Sequence, residues 1–236
     1  TYEINKPVLF DDKINLCPKM KHEYVPFESF SDEVKESVQR MLDYQFEVLC
    51  SSKKEPFDHW IKWQANMIRG NKNDCCPYLR GQQGAGKSTI SEFLKYFVVG
   101  EQLTLTTGSD PLIQQFNNIL SGKLLVLFEE LENFSISQWI TVSTKLKRQI
   151  TDPKIIIAEK YANSYETVNM NNYMLLSNHD AIKDDEGRRY FILDISHHRM
   201  QDIEYFYSLR KECFNDYGDE LGGFNNDLLD RKEIKT

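Results

Sequence analysis

Residues Leu79-Arg80-Gly81-Gln82-Gln83-Gly84-Ala85-Gly86-Lys87-Ser88 carry the spacing G-x-x-x-x-G-K-[ST]. Each residue type in that spacing has a chemical reason. Glycines at Gly81, Gly84 and Gly86, with Gln82, Gln83 and Ala85 between them, let the backbone curl until successive N–H groups point inward at a polyphosphate. Lys87 then reaches the β- and γ-phosphates, and the Ser88 hydroxyl can ligate Mg²⁺, with Thr89 completing the first turn of a helix. Cys76–Arg80 reads as a short strand and residues 89–97 as an amphipathic helix. Strand, glycine loop and helix form the setting that the motif requires. The expectation is a bound ATP with Mg²⁺.

Other residues suited to the same chemistry follow in order. The apolar run 123–128 ends in Glu129-Glu130. One carboxylate there can hold Mg²⁺ opposite Ser88, and a second can orient and deprotonate an attacking water. Tyr173-Met174-Leu175-Leu176-Ser177 leads to Asn178, whose amide can hydrogen-bond both a γ-phosphate and the lytic water. Arg188-Arg189 directly precede the strand 190–195, and a guanidinium can neutralise charge developing on a γ-phosphate, often from a neighbouring subunit. Between residues 145 and 160 stand Lys145, Lys147, Arg148, Lys154 and Lys160 against only Asp152 and Glu159. That concentration suits a nucleic-acid backbone.

These groups have to be positioned by an α/β framework. A helix is predicted from Ser31 through Val34, Val38, Met41, Leu42, Phe46 and Leu49. A second runs through Phe57, Trp60, Ile61, Gln64, Ala65 and Ile68 to Gly70, its aromatic stripe read as helix packing. Further strands are predicted at 102–106, 123–128, 173–177 and 190–195, and further helices at 110–120 and 135–150. Residues 154–158 and 165–168 form a β-hairpin with Lys160 near its tip. Strands alternating with helices imply a parallel sheet with ligands at the carboxyl ends of the strands. The organisation expected is a lead-in and helical segment over 1–70, an ATPase core over 71–200 and a helical tail over 201–236.

A net charge of −7 argues against a uniformly basic nucleic-acid-binding surface, though not against a local one. The five cysteines lack C-x-x-C spacing and read as reduced thiols. No apolar run is long enough to span a bilayer, so a cytoplasmic location is expected. The start at Thr1 suggests a piece of a longer polypeptide.

The ordered set GQQGAGKS, LLVLFEE, LKRQI…IIIAEKYA, YMLLSN and GRRYFILDI resembles the motif series of superfamily 3 helicases, AAA+ ATPases of phages, plasmids and DNA viruses. It is most similar to the phage, plasmid and poxvirus-type primase–helicases, over about residues 40 to 196. The resemblance implies a P-loop ATPase of AAA+ type with a five-stranded parallel sheet. It assigns Glu129 to the metal and Glu130 to the catalytic base. Lys160 becomes the DNA-contacting hairpin lysine, with Lys154 or Arg148 as alternatives, Asn178 the sensor, and Arg188 or Arg189 the finger. It further implies a ring, hexameric by likeness, moving on single-stranded DNA in the cytoplasm of an infected host. A primase or polymerase domain on the same polypeptide is part of that implication. Two rival readings are a P-loop small-molecule kinase and an ATP-switched scaffolding module; the paired carboxylates fit hydrolysis better than phosphoryl transfer to an acceptor.

Overall fold

The computed structural model describes residues 6–20, 25–129, 134–178, 180, 182 and 188–214. A small hairpin, β1 (Leu9–Phe10) and β2 (Lys13–Ile14), precedes the helices. Helix α1 (Asp32–Tyr44) starts at Ser31, whose side chain accepts a hydrogen bond from the Val34 N–H, and Asp32 and Glu33 suit the positive end of the helix. It runs on through a wider turn, Gln45–Leu49. Helix α2 (Lys54–Ile68) buries Trp60, Ile61, Gln64, Ala65 and Ile68, as their spacing predicts, and also Trp63 and Met67. Gly70 ends it at φ +83°. Buried Gln45 joins the two helices, accepting from Trp60 Nε1 at 2.7 Å and from Gln64 Nε2 at 2.8 Å.

The core is a five-stranded, all-parallel sheet. Its strands are β3 (Cys76–Arg80), β4 (Thr104–Thr107), β5 (Leu125–Glu129), β8 (Asn172–Ser177) and β9 (Tyr190–Asp194), in spatial order β4-β5-β8-β3-β9. Side chains alternate between two apolar layers. Leu79, Leu125, Leu127, Met174 and Leu193 pack with α1, α2 and α3 (Lys87–Phe93). Tyr78, Val126, Phe128, Tyr173 and Leu175 pack with α5 (Ile136–Thr151), through Trp139, Val142, Leu146 and Ile150. Burial on both faces is why these strands read as unbroken apolar runs rather than alternating ones. The N-terminal helices therefore share one core with the sheet.

Strands β6 (Lys154–Ile157) and β7 (Tyr165–Val168) form the expected antiparallel hairpin. The helix expected over 110–120 is cut short: α4 covers only Asp110–Ile113, Gln114 turns extended at ψ 160°, and a single tight turn follows at Asn118–Leu120. Asn117 is the reason. Its backbone N–H donates to the Ala158 carbonyl, its side-chain amide donates to the Ile156 carbonyl, and its Oδ1 accepts from the Ala158 N–H. A residue bound this way to a hairpin cannot also continue a helix. The strand expected at 102–106 begins two residues later, after a turn over Glu101–Leu103.

Where β5 and β8 begin, buried asparagines satisfy the loop carbonyls. Asn171 donates to the Leu120 and Lys123 carbonyls, and Asn172 accepts from the Asn73 N–H. Lys72 donates to the Gln149 and Asn171 carbonyls at 2.9 and 3.0 Å and lies over the Tyr173 ring. Burial pushes its ammonium down to about 8, against the opposing pull of Asp74. A lysine depressed on folding makes the unfolded chain bind more protons between pH 8 and its ordinary range, so this group's contribution to stability rises with pH there. Lys72→Met should therefore fall behind the wild type by about 1 kcal/mol more at pH 9 than at pH 7 in urea denaturation. An equal gap at both pH values would refute the perturbed ammonium.

Candidate functional site

The loop from β3 to α3 is built from left-handed turns and close approaches. Gly84 sits at φ +80° and Gly86 at φ +101°. A Cβ on Gly86 would lie 2.7 Å from the Phe206 ring, so that position needs glycine for space as well as for φ. Lys87 Nζ donates to the Gly81 and Gln82 carbonyls, the latter at 2.8 Å, and burial lowers its pKa. Fully buried Tyr44, at the end of α1, donates its hydroxyl to the Gly86 carbonyl at 2.8 Å. The loop is thus braced from below by the N-terminal helices.

Parallel register brings the other groups to the same edge. Arg80 pairs with Ser177, and Glu129 pairs with Leu176, so the carboxyl ends of β3, β8 and β5 lie level. β8 is the middle strand of the three, which sets Asn178 between the glycine loop and Glu129. Ser91, on α3 one turn beyond Lys87, donates its hydroxyl to Glu129 Oε1 at 3.2 Å. Gly84, Gly86, Lys87, Ser88, Thr89, Glu129 and Asn178 all line one cavity of about 340 Å³. A lysine, a hydroxyl and a carboxylate around such a space are the group types that suit a polyphosphate with a hard cation. Arg80 steadies this edge, bonding Asp194 at 2.7 Å and Asp180 at 3.1 Å, the latter two residues beyond Asn178.

The remaining sequence-predicted residues lie elsewhere. The Arg189 carbonyl accepts from the Cys76 N–H, at the start of β3 and one strand length from the glycine loop. Arg188 is exposed and Arg189 half-buried beside it. Glu130 lies outside the described residues. Lys154 pairs with Glu166 at 2.6 Å near the hairpin root, and Arg148 with Asp152 at 3.7 Å at the end of α5. Lys160 stands at the hairpin tip.

Two cavity residues were not anticipated. Phe206 and Arg210 come from α6 (Ile203–Cys213), a segment read from sequence only as a tail. Arg210 bonds Glu92 of α3 at 2.6 Å, and Phe206 meets Tyr44 edge to face at 6.3 Å. Arg40 of α1 holds α6 through Ser208 and Glu212. The signal present in sequence was the four-residue spacing of Phe206 and Arg210, which puts both on one helix face.

Residues 79–189, from the end of β3 to the second arginine, match the model of DUF5906, a family of unknown function. The chain is 26% identical over 203 residues to the DNA primase-polymerase of Nitratiruptor phage NrS-1, covering 82% of this chain and 27% of that protein. The structure of the ligand-free C-terminal region of NrS-1 (residues 305–718) superimposes with a TM-score of 0.72 at 22% identity, over 98% of this chain and 54% of the other. A second structure of that region, in its A form, gives 0.70 at the same identity. The fold is shared with that region. The chain thus spans about a quarter of the phage relative and about half of each solved chain. Among the described residues, no helix is long and apolar enough to cross a membrane.

Proposed function

We propose that this chain is the ATP-hydrolysing motor portion of a phage-type DNA replication protein, a P-loop ATPase of AAA+ type acting as a superfamily 3 DNA helicase. One observation carries the reading: the Lys87-Ser88 pair, Glu129 and Asn178, from three separate stretches of sequence, line one cavity at the carboxyl ends of adjacent parallel strands. The likeness to a phage primase-polymerase supplies the replication setting.

Backbone N–H groups of the loop and Lys87 would hold the triphosphate, Lys87 exchanging its carbonyl partners for phosphate oxygens. Ser88 and Glu129 would hold Mg²⁺, which would neutralise part of the phosphate charge. Asn178, between loop and acid, would orient the attacking water, with Glu130 acting as its base. Ser91 keeps the Glu129 carboxylate turned toward the cavity. The arginine would come from a neighbouring copy in a ring, and hairpins carrying Lys160 would follow nucleotide state and draw single-stranded DNA by its phosphates.

Phosphate release with ATP and Mg²⁺, with and without single-stranded DNA, tests the reading. DNA should stimulate turnover without any phosphate acceptor, which sets it apart from a kinase. Lys160→Ala should lose the DNA-stimulated part far more than the DNA-independent part. The slope of log affinity against log salt should become shallower by about 0.7 for each phosphate that the variant no longer neutralises. Proportionate loss of both parts would sink the hairpin's role.

A further inference from the structure

The tip of the β6–β7 hairpin holds a residue that packing does not explain. Tyr161 is 94% exposed, the most exposed of the large hydrophobic side chains among the described residues. Its backbone lies at φ +64°, in the left-handed region that a bulky side chain rarely adopts. A large aromatic in water at an unfavourable φ gains nothing for the fold, whereas glycine or asparagine would suit such a turn better. Lys160 Nζ sits 5.0 Å from the centre of its ring, so cation and aromatic face project together.

The rest of the hairpin is held firmly. Asn117 clamps the strand at Ile156 and Ala158, where the loop begins, and Ser121 meets the Tyr165 hydroxyl at 3.3 Å where it ends. At the root Lys154 pairs with Glu166, and Asn169 donates to the Gln149 and Asp152 carbonyls. Those root interactions adjoin the start of β8, the edge of the sheet opposite the glycine loop. The tip is presented by a fixed stalk.

The geometry points to Tyr161 as a stacking platform for an unpaired nucleobase, with Lys160 engaging the adjacent phosphate. Every base has a π-face, so a ring placed this way grips single-stranded nucleic acid with little regard to sequence, while an ammonium beside it supplies the salt-sensitive share. A duplex hides those faces in its own stack and would not be gripped. This assignment rests on the hairpin meeting DNA, as proposed above, and adds which chemical part of the strand it recognises.

The test compares binding of this chain to a fluorescein-labelled oligo-dT and to an oligomer of the same length in which abasic sugar-phosphate units replace the nucleotides. Wild type should bind oligo-dT about 5- to 100-fold more tightly than the abasic strand. Tyr161→Ala should bring the two close together, and Tyr161→Phe should keep the difference because the ring remains. Lys160→Ala should weaken binding to both strands while preserving the ratio between them. A Tyr161→Ala protein that still prefers oligo-dT as strongly as wild type overturns the stacking role and leaves the DNA reading intact. Wild-type protein that binds neither strand overturns both.

Discussion

Replacing Lys87 with alanine should lower ATP hydrolysis by about 100- to 1,000-fold, the range seen when a single preorganised hydrogen-bond donor is removed from a reacting centre. The size follows from the surroundings. Lys87 is the only cation of the glycine loop, it stands at the start of α3, and burial already weakens its hold on a proton. A partly desolvated ammonium interacts with phosphate more strongly than one in open water. Its two carbonyl partners belong to the loop itself, one exposed and one part-buried, and both within reach of water that can replace the lost donor, so the fold should survive. Phosphate release under saturating ATP measures the effect, and circular dichroism of the same preparation checks the fold. Wild-type turnover by a well-folded Lys87→Ala protein would remove the catalytic assignment altogether.

The sequence was legible where one residue sets one local rule. The motif marked the loop, α5 begins after Ser135 where a helix was expected, and doubly buried strands announced themselves as apolar runs. What escaped depends on partners far along the chain. Asn117 ends a helix because its side chain serves the hairpin 39 residues on. Strand order, which sets Asn178 between the loop and Glu129, is invisible in any local pattern. Phe206 and Arg210 enter the cavity only because α6 folds back onto α1 through Arg40, whose bond to Ser208 spans 168 residues of sequence. Tyr161 carries no sequence signal at all beyond being aromatic; its exposure and its φ are properties of the folded turn.

The second large effect concerns the arginines before β9. The register of β3 on β9 runs from Cys76 opposite Tyr190 to Arg80 opposite Asp194, so the sheet's whole strand length, about 13 Å of rise, separates these arginines from the loop on the same chain. No rotamer of either crosses that span to their own cavity. If one of them stabilises the transferring phosphoryl group, it does so in a neighbouring copy. Arg188 is the exposed one, whereas Arg189 lies half-buried with interactions of its own. Arg188→Ala should therefore lower hydrolysis by about 1,000-fold or more while leaving ATP binding near wild type. Arg189→Ala should act in part through stability. Mixing Arg188→Ala subunits with Lys87→Ala subunits should restore measurable turnover, because an interface taking Lys87 from the first and Arg188 from the second is complete. Each variant alone offers no such interface, so recovery requires shared sites. If the mixture stays as inactive as its parts while both proteins still assemble with wild type, the arginine does not work across an interface, and the ring loses its chemical necessity.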